Sequence, residues 1–248
     1  MPGPKSVEEL ERQSAIEHYT ALRSTIIRCV IFFLVMLVGT LVFVHQLIPQ
    51  LIVDGRLVML GPMDVLGIYF IVALSISAGL SIPYVTFEVW RFVKPALTER
   101  EAKLTLGYIP AVFGCFIVGL AFGYYVVFPV AYQFLMAVGG IHFDMMITAR
   151  EYFHFLLMST LPLGFIFELP LVIMFLTSLG LLTPDTLRKS RRYAYFGLIV
   201  ISVVITPPDF ISDLLLILPL VGLYEVGVWL SKRTYTRMEK ETAQQAAS

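Results

Sequence analysis

Long, largely apolar runs, separated by short polar connections, set the plan of the chain. Ile26–Ile48 is the first run, and Arg28 near its start suits an entry point from which the side chain snorkels to the lipid head groups. Pro49 closes it, and LIVDGRLVMLGPMD follows as a loop with Asp54-Gly55 and Gly61-Pro62 as turn signals. Val65–Val85 carries no charge; at about 1.5 Å per residue, such a run crosses about 30 Å of hydrocarbon as a helix. Leu104–Ile141 is too long for one crossing, and Pro129 is expected to divide it into a third span ending near Val127 and an apolar segment lying along the far surface. Phe153–Leu182 is the fourth span, stopped by Gly180, with Thr183-Pro184-Asp185 opening a fresh helix. Tyr193–Thr206 is about fourteen residues, or about 21 Å as a helix. Leu214–Leu230, interrupted by Pro219, is a sixth and also shortish span.

The flanks are polar. Ser6–Arg23 combines Glu8, Glu9, Glu11 and Glu17 with Ile16 and Leu22 at roughly helical spacing, the pattern of an amphipathic helix lying on the interface. Its start lacks the basic region and small-residue cleavage site of a secretory signal, so it reads as mature protein. SKRTYTRMEKETAQQAAS, after the last run, reads as a partly disordered polar tail. The expected organisation is a cytoplasmic segment over 1–23, a six-helix membrane domain over 24–231 and a cytoplasmic tail over 232–248. The fold class is an all-α integral membrane protein of six transmembrane helices, the last two short.

Composition agrees: of 248 residues, 58% are hydrophobic and only 15% charged, far from the balance of a soluble domain. The zero net charge matters less than its distribution. All 18 Lys and Arg except Arg56 and Arg150 fall in the N-terminal segment and its span entry, the second-to-third connection, the fourth-to-fifth connection or the tail. By the positive-inside rule both termini face the cytoplasm, as an even number of crossings requires. Nothing suggests nucleic acid. Cys29 and Cys115 lie inside apolar runs and read as two buried thiols. Gly119 and Gly123 form either a close-packing face or a chance pair in a glycine-rich chain.

Two places carry candidate chemistry. The strip Trp90–Lys103, WRFVKPALTEREAK, lies between apolar spans at the inner interface and presents Phe92, Glu99 and Glu101 to solution. Such a charge run is often just a solvated face. With Phe92 and Trp90 beside the carboxylates, it also suits an Arg-bearing peptide held by charge-assisted bonds and stacking; Glu88 adds to the field. The second place is Glu168, at the middle of the fourth span in FIFELPLVI. A carboxylate there must face protein or water, or be protonated. It either ties neighbouring helices together or meets a substrate or partner segment, and Pro170 beside it favours a kinked, concave face. Asp209 in TPPDFISD fits a helix N-cap after two prolines. His18, His45, His142 and His154 are scattered, and no metal-ligand spacing, nucleophile motif or phosphate loop is present, so no catalytic set emerges. A proton- or ion-coupled small-solute transporter using Glu168 is the competing class. Against it stand the lack of an internal repeat and the position of the other intraspan acid, Glu225, toward the cytoplasmic end of the sixth span.

WRFVKPALTEREAK, FELP and ITPPDFISD, in that order on a six-span layout, together closely resemble TatC, the polytopic subunit of the twin-arginine protein translocase, over about residues 16 to 230. The resemblance implies a cupped bundle in the cytoplasmic membrane whose N-terminus and second-to-third connection recognise the Arg-Arg pair of a folded cargo's signal peptide. Phe92 and Glu101 match the family's positions, with Glu99, Pro95 and Leu97 in the frame and Arg23 closing the N-terminal motif. Glu168, followed by Pro170, matches the fourth-span glutamate linked to single-span partners of the TatA/TatB type, and Asp209 matches the outer-loop aspartate. Self-association in a larger complex, no cofactor and transport driven by the proton motive force are implied as well. One departure stands out: where the family pattern resembles His-Leu-x-Glu-Leu-Arg, this chain reads His18-Tyr19-Thr20-Ala21-Leu22-Arg23, with Ala21 in place of the carboxylate. Glu17, Glu88 or Glu99 substitutes for it, or the protein serves a narrower set of cargoes. Ala102, where a basic residue is common, is a milder change.

Overall fold

The computed structural model describes residues 7–52, 57–94, 108–141, 146–205 and 210–246. The chain runs through α1 (Val7–Leu51), α2 (Pro62–Val93), α3 (Tyr108–Phe122), a π turn (Gly123–Val127), α4 (Phe128–Gly139), α5 (Ala149–Phe167), α6 (Leu169–Ser178), α7 (Pro184–Lys189), α8 (Arg191–Ile205) and α9 (Phe210–Ala246). The stretches long and apolar enough to cross a membrane are Tyr19–Leu51, Pro62–Val93, Pro110–Gly139, Ala149–Ser178 and Asp213–Glu239. The expected fifth span corresponds to α8, which has 15 residues and is not among these stretches. The protein is an all-α, multi-pass membrane protein.

Three expectations change. The N-terminal segment is not a separate helix: α1 runs unbroken from Val7 through the first span, with Pro49 inside its last turns. Pro129 does not divide the third passage, because the π turn takes up the strain and passes directly into α4. The last span, Leu214–Leu230, is one part of a longer helix, α9, which has 37 residues. The polar tail is the continuation of α9 as far as Ala246, where a partly disordered segment had been expected. Other local signals hold: Gly180 adopts φ 72 at the end of α6, and Thr183 caps α7, its hydroxyl accepting from the Thr186 N–H with Pro184 at the first turn.

Small residues let the helices approach. A Cβ on Gly119 would lie 2.7 Å from the Leu163 carbonyl oxygen, and one on Gly123 would lie 2.8 Å from the Thr160 Cα, so the Gly119/Gly123 pair is the face α3 presents to α5. Gly227 of α9 likewise admits Ile173 and Pro170 of α6. Several buried hydroxyls are satisfied along their own helices, Ser81 donating to the Ser77 carbonyl at 2.7 Å and Thr177 to that of Ile173 at 2.8 Å.

The first helix is the least enclosed. Only 6% of its apolar window is buried, against a third or more in the other four long passages, and α2 is its chief neighbour. Three side-chain pairs join the two antiparallel helices in step: Arg28 with Glu88, Phe32 stacked on Tyr84 at 4.0 Å, and the Ser77 and Thr40 hydroxyls 3.0 Å apart. The end of the bundle marked by Arg28, Glu88 and Arg191 is called the basic end below.

Candidate functional site

Glu168 sits where α5 stops and α6 starts, at φ −76 and ψ −16, and is the residue shared by both helix ends. Proline at position 170 cannot donate into the preceding turn, which is why the helix interrupts here. The Glu168 carbonyl accepts from the Leu171 and Val172 N–H groups at 2.9 and 3.0 Å. Its side chain is half-buried, and Oε1 is shielded from water with no hydrogen-bond partner among the described residues. The carboxyl lines a recess of 370 Å³ between α1, α2 and α5, together with Cys29, Phe33, Ser81, Thr86 and Phe165. A buried carboxylate oxygen without a donor is costly in an apolar cleft, and the carboxyl would gain from a donor brought to it. Pro170 is not part of that recess: it is buried against α9, its Cα 3.2 Å from where a Gly227 Cβ would stand.

Toward the basic end the recess gives way to a charge cluster. Glu88, 2% exposed, receives Arg28 Nε at 2.9 Å and Nη2 at 2.7 Å on Oε2. Its Oε1 accepts from the Tyr84 hydroxyl at 3.2 Å and faces Arg91 Nη1 at 3.7 Å. Arg28 also donates to the hydroxyls of Ser24 and Thr25, at 2.7 and 3.2 Å. Arg28 therefore makes an internal ion pair and does not snorkel to head groups, and Glu88 is occupied by the chain's own cations, so it is not an open replacement for the carboxylate missing at Ala21.

Phe92, half-buried in the last turn of α2, follows Glu88 by one turn, and Arg23 is exposed on α1. Trp90 differs from expectation: it is 9% exposed, stacked on Phe87 and covered by the Lys94 ammonium 5.4 Å from its ring, so it offers no open aromatic face. Pro95, Leu97, Glu99, Glu101 and Asp209 lie outside the described residues. Glu225, the other intraspan acid, is paired with Arg191 at 2.6 Å and with the Tyr195 hydroxyl at 2.5 Å. It is thereby occupied, whereas Glu168 is not.

The family signature described as "Sec-independent protein translocase protein (TatC)" matches residues 17–219. The chain belongs to the TatC family. It is 46% identical to TatCd of Bacillus subtilis (strain 168) over 231 residues, covering 92% of this chain and 96% of that one. It is 31% identical to TatC of Escherichia coli (strain K12) over 238 residues, covering 92% and 90%. Two crystal structures described as the twin arginine translocase receptor TatC superpose with TM-scores of 0.75 and 0.77 at 26% and 27% identity, covering 88% and 86% of this chain and 99% of each of theirs. The TatC match takes in the Arg28–Glu88 cluster, the strip from Trp90 and Glu168 alike.

Sequence reasoning missed the Arg28–Glu88 and Arg191–Glu225 pairs. The signal was there: in both cases an arginine and a glutamate stand near the same end of antiparallel consecutive passages.

Proposed function

We propose that this chain is the signal-peptide receptor and core subunit of a translocase that exports folded proteins bearing a twin-arginine signal across the cytoplasmic membrane, with both termini on the cytoplasmic side. The observation that carries it is the Glu168 carboxyl, unpaired at Oε1, bordering a recess between α1, α2 and α5 of a TatC-family chain. Family membership over nearly the whole chain also favours a protein translocase over a small-solute carrier. The lysines and arginines gathered at one end support the orientation.

In this mechanism Glu101 and Glu99 attract the two guanidinium groups of the signal, each charge-assisted contact contributing about 1–3 kcal/mol. Phe92 supplies apolar surface for the residues beside them. Pro95 and Leu97 shape the strip, and Arg23 borders it from α1. The apolar part of the signal then follows the face of α1 and α2 toward Glu168, where a single-span partner of the TatA/TatB type docks, in a complex holding several copies of this chain and driven by the proton motive force. Asp209 acts at the opposite surface.

The deciding experiment is photo-crosslinking from position 101 to signal peptides carrying Arg-Arg or Lys-Lys, in membranes containing the intact chain. The diarginine peptide should crosslink and the dilysine peptide should do so several-fold less, because an ammonium lacks the planar fork. Equal yields would remove the receptor role. Glu168→Ala should retain crosslinking from 101 yet lose export; normal export by that variant would remove Glu168 from the mechanism.

A further inference from the structure

We propose that the Arg28–Glu88 pair is a register pin, fixing α1 against α2 so that the two halves of the signal-binding site stand level with each other. The inference rests on the receptor role given above and names two positioning residues for it. Its basis is the stepwise match between the helices. From Arg28 to Phe32 is one turn along α1, and from Glu88 to Tyr84 is one turn back along α2; both pairs touch. Two further turns along α1, Thr40 meets Ser77. Carried one turn the other way, the same register sets Ser24 and Thr25 level with Phe92, and Arg23 level with Val93 and Lys94 at the end of α2. The helix before Arg23 then extends past the end of α2.

Apolar contact alone does not fix this register. Lipid chains are as apolar as the side chains between α1 and α2, so sliding α1 by one turn, about 5.4 Å, exchanges equivalent surfaces. Glu88 makes the registers unequal. It is 2% exposed, and a slipped α1 removes both guanidinium bonds from Oε2, leaving the enclosed carboxylate only the Tyr84 hydroxyl and Arg91 at 3.7 Å on its own helix. Arg28 adds specificity at its own end, because the same guanidinium holds Ser24 and Thr25 on the turn facing Phe92. Both Glu88 oxygens are filled from within the chain. The pair therefore acts through the placement of Arg23 and Phe92 and does not contact the cargo.

The test uses the full chain in membranes with Cys29→Ser and Cys115→Ser, spin labels at Leu22→Cys and Val89→Cys, and crosslinking of the diarginine peptide from position 101. Arg28→Gln and Glu88→Gln should each broaden or shift the 22–89 distance by about one turn, about 5 Å, and lower crosslinking about tenfold. The exchange Arg28→Glu with Glu88→Arg should restore both. An unchanged distance in the single variants overturns the pin. An exchange that restores the distance but not the crosslinking overturns the positioning role, because the pair would then be meeting the signal directly. Should the single variants fail to insert, the exchange still decides: recovery of insertion, distance and crosslinking supports the pin, and recovery of insertion alone overturns it. If the unaltered chain captures no diarginine peptide, the receptor role fails, whereas the distances in the same variants still report whether the pair sets the register.

Discussion

A hydroxyl has one proton to give, and that rule orders the contact between Thr177 and Ser231. Thr177 donates to the Ile173 carbonyl at 2.8 Å, so in its 2.8 Å contact with Ser231 it accepts, and Ser231 is the donor. Both residues are fully buried, on α6 and α9. Interhelical bonds of this kind contribute about 0.6 kcal/mol in membrane bundles. A double-mutant cycle of Thr177→Val and Ser231→Ala, read from unfolding in detergent, should return a coupling near that size. A coupling of zero would mean that close packing at Gly227 alone joins these helices. Single residues also show what a sequence can and cannot disclose. Glu168 stands out in the sequence because an acid inside an apolar run must face protein or water, or be protonated. The occupation of Glu88 was not legible, because its partner stands sixty residues earlier and Arg28 had an adequate local explanation as a snorkelling side chain. Trp90 was misread as surface for a similar reason: its cover comes from the fold of its own helix end, through Phe87 and Lys94.

At the scale of elements, apolar periodicity located the helices but not their joints. Pro129 looks like a break because proline removes a backbone donor. The preceding turn widens to a π geometry instead, and the helix passes on. The polar run after Leu230 offers no core face, yet it continues a helix already nucleated in the membrane, where propagation costs less than starting anew. The Gly119/Gly123 pair was ambiguous in sequence, since spacing alone does not say which glycines meet a neighbour. In the structure the distinction is sharp: a Cβ on Gly119 would strike a backbone carbonyl of α5, whereas one on Gly197 would have nothing within 4 Å. Gly119→Ala is therefore expected to push α3 from α5 at a cost of about 1–3 kcal/mol, visible as a lower melting midpoint in detergent. Gly197→Ala should leave the midpoint unchanged or raise it, as helix propensity favours alanine. Equal effects at the two sites would show that α3 and α5 tolerate separation.

On the scale of the whole molecule, the passages are unequal in length, and that inequality acts on the bilayer. The 15 residues of α8 extend about 22 Å, against about 30 Å of hydrocarbon. The helix is tied at the basic end, where Arg191 and Tyr195 hold Glu225 and the Tyr224 hydroxyl donates to the Leu187 carbonyl at 2.8 Å. The shortfall of about 8 Å therefore falls at the far end, near Val204, which is 80% exposed on the outside of the bundle. Lipid beside it must thin, or water must enter. In a chain lacking Cys29 and Cys115, Val204→Cys in sealed vesicles should react with a water-soluble maleimide. Val38→Cys is the control: it is 64% exposed, on a helix that crosses fully, and at about 22 Å above Arg23 it stands at a similar height. It should stay unlabelled, being surrounded by hydrocarbon of normal thickness. Protection at both positions would mean that α8 is shifted bodily toward the far surface and that the mismatch is absorbed at the basic end, which would require the Arg191–Glu225 pair to sit within the hydrocarbon. Labelling at Val204 alone would place the thinned lipid beside α8, a weak point in the membrane at the end of the bundle away from the Arg191–Glu225 pair.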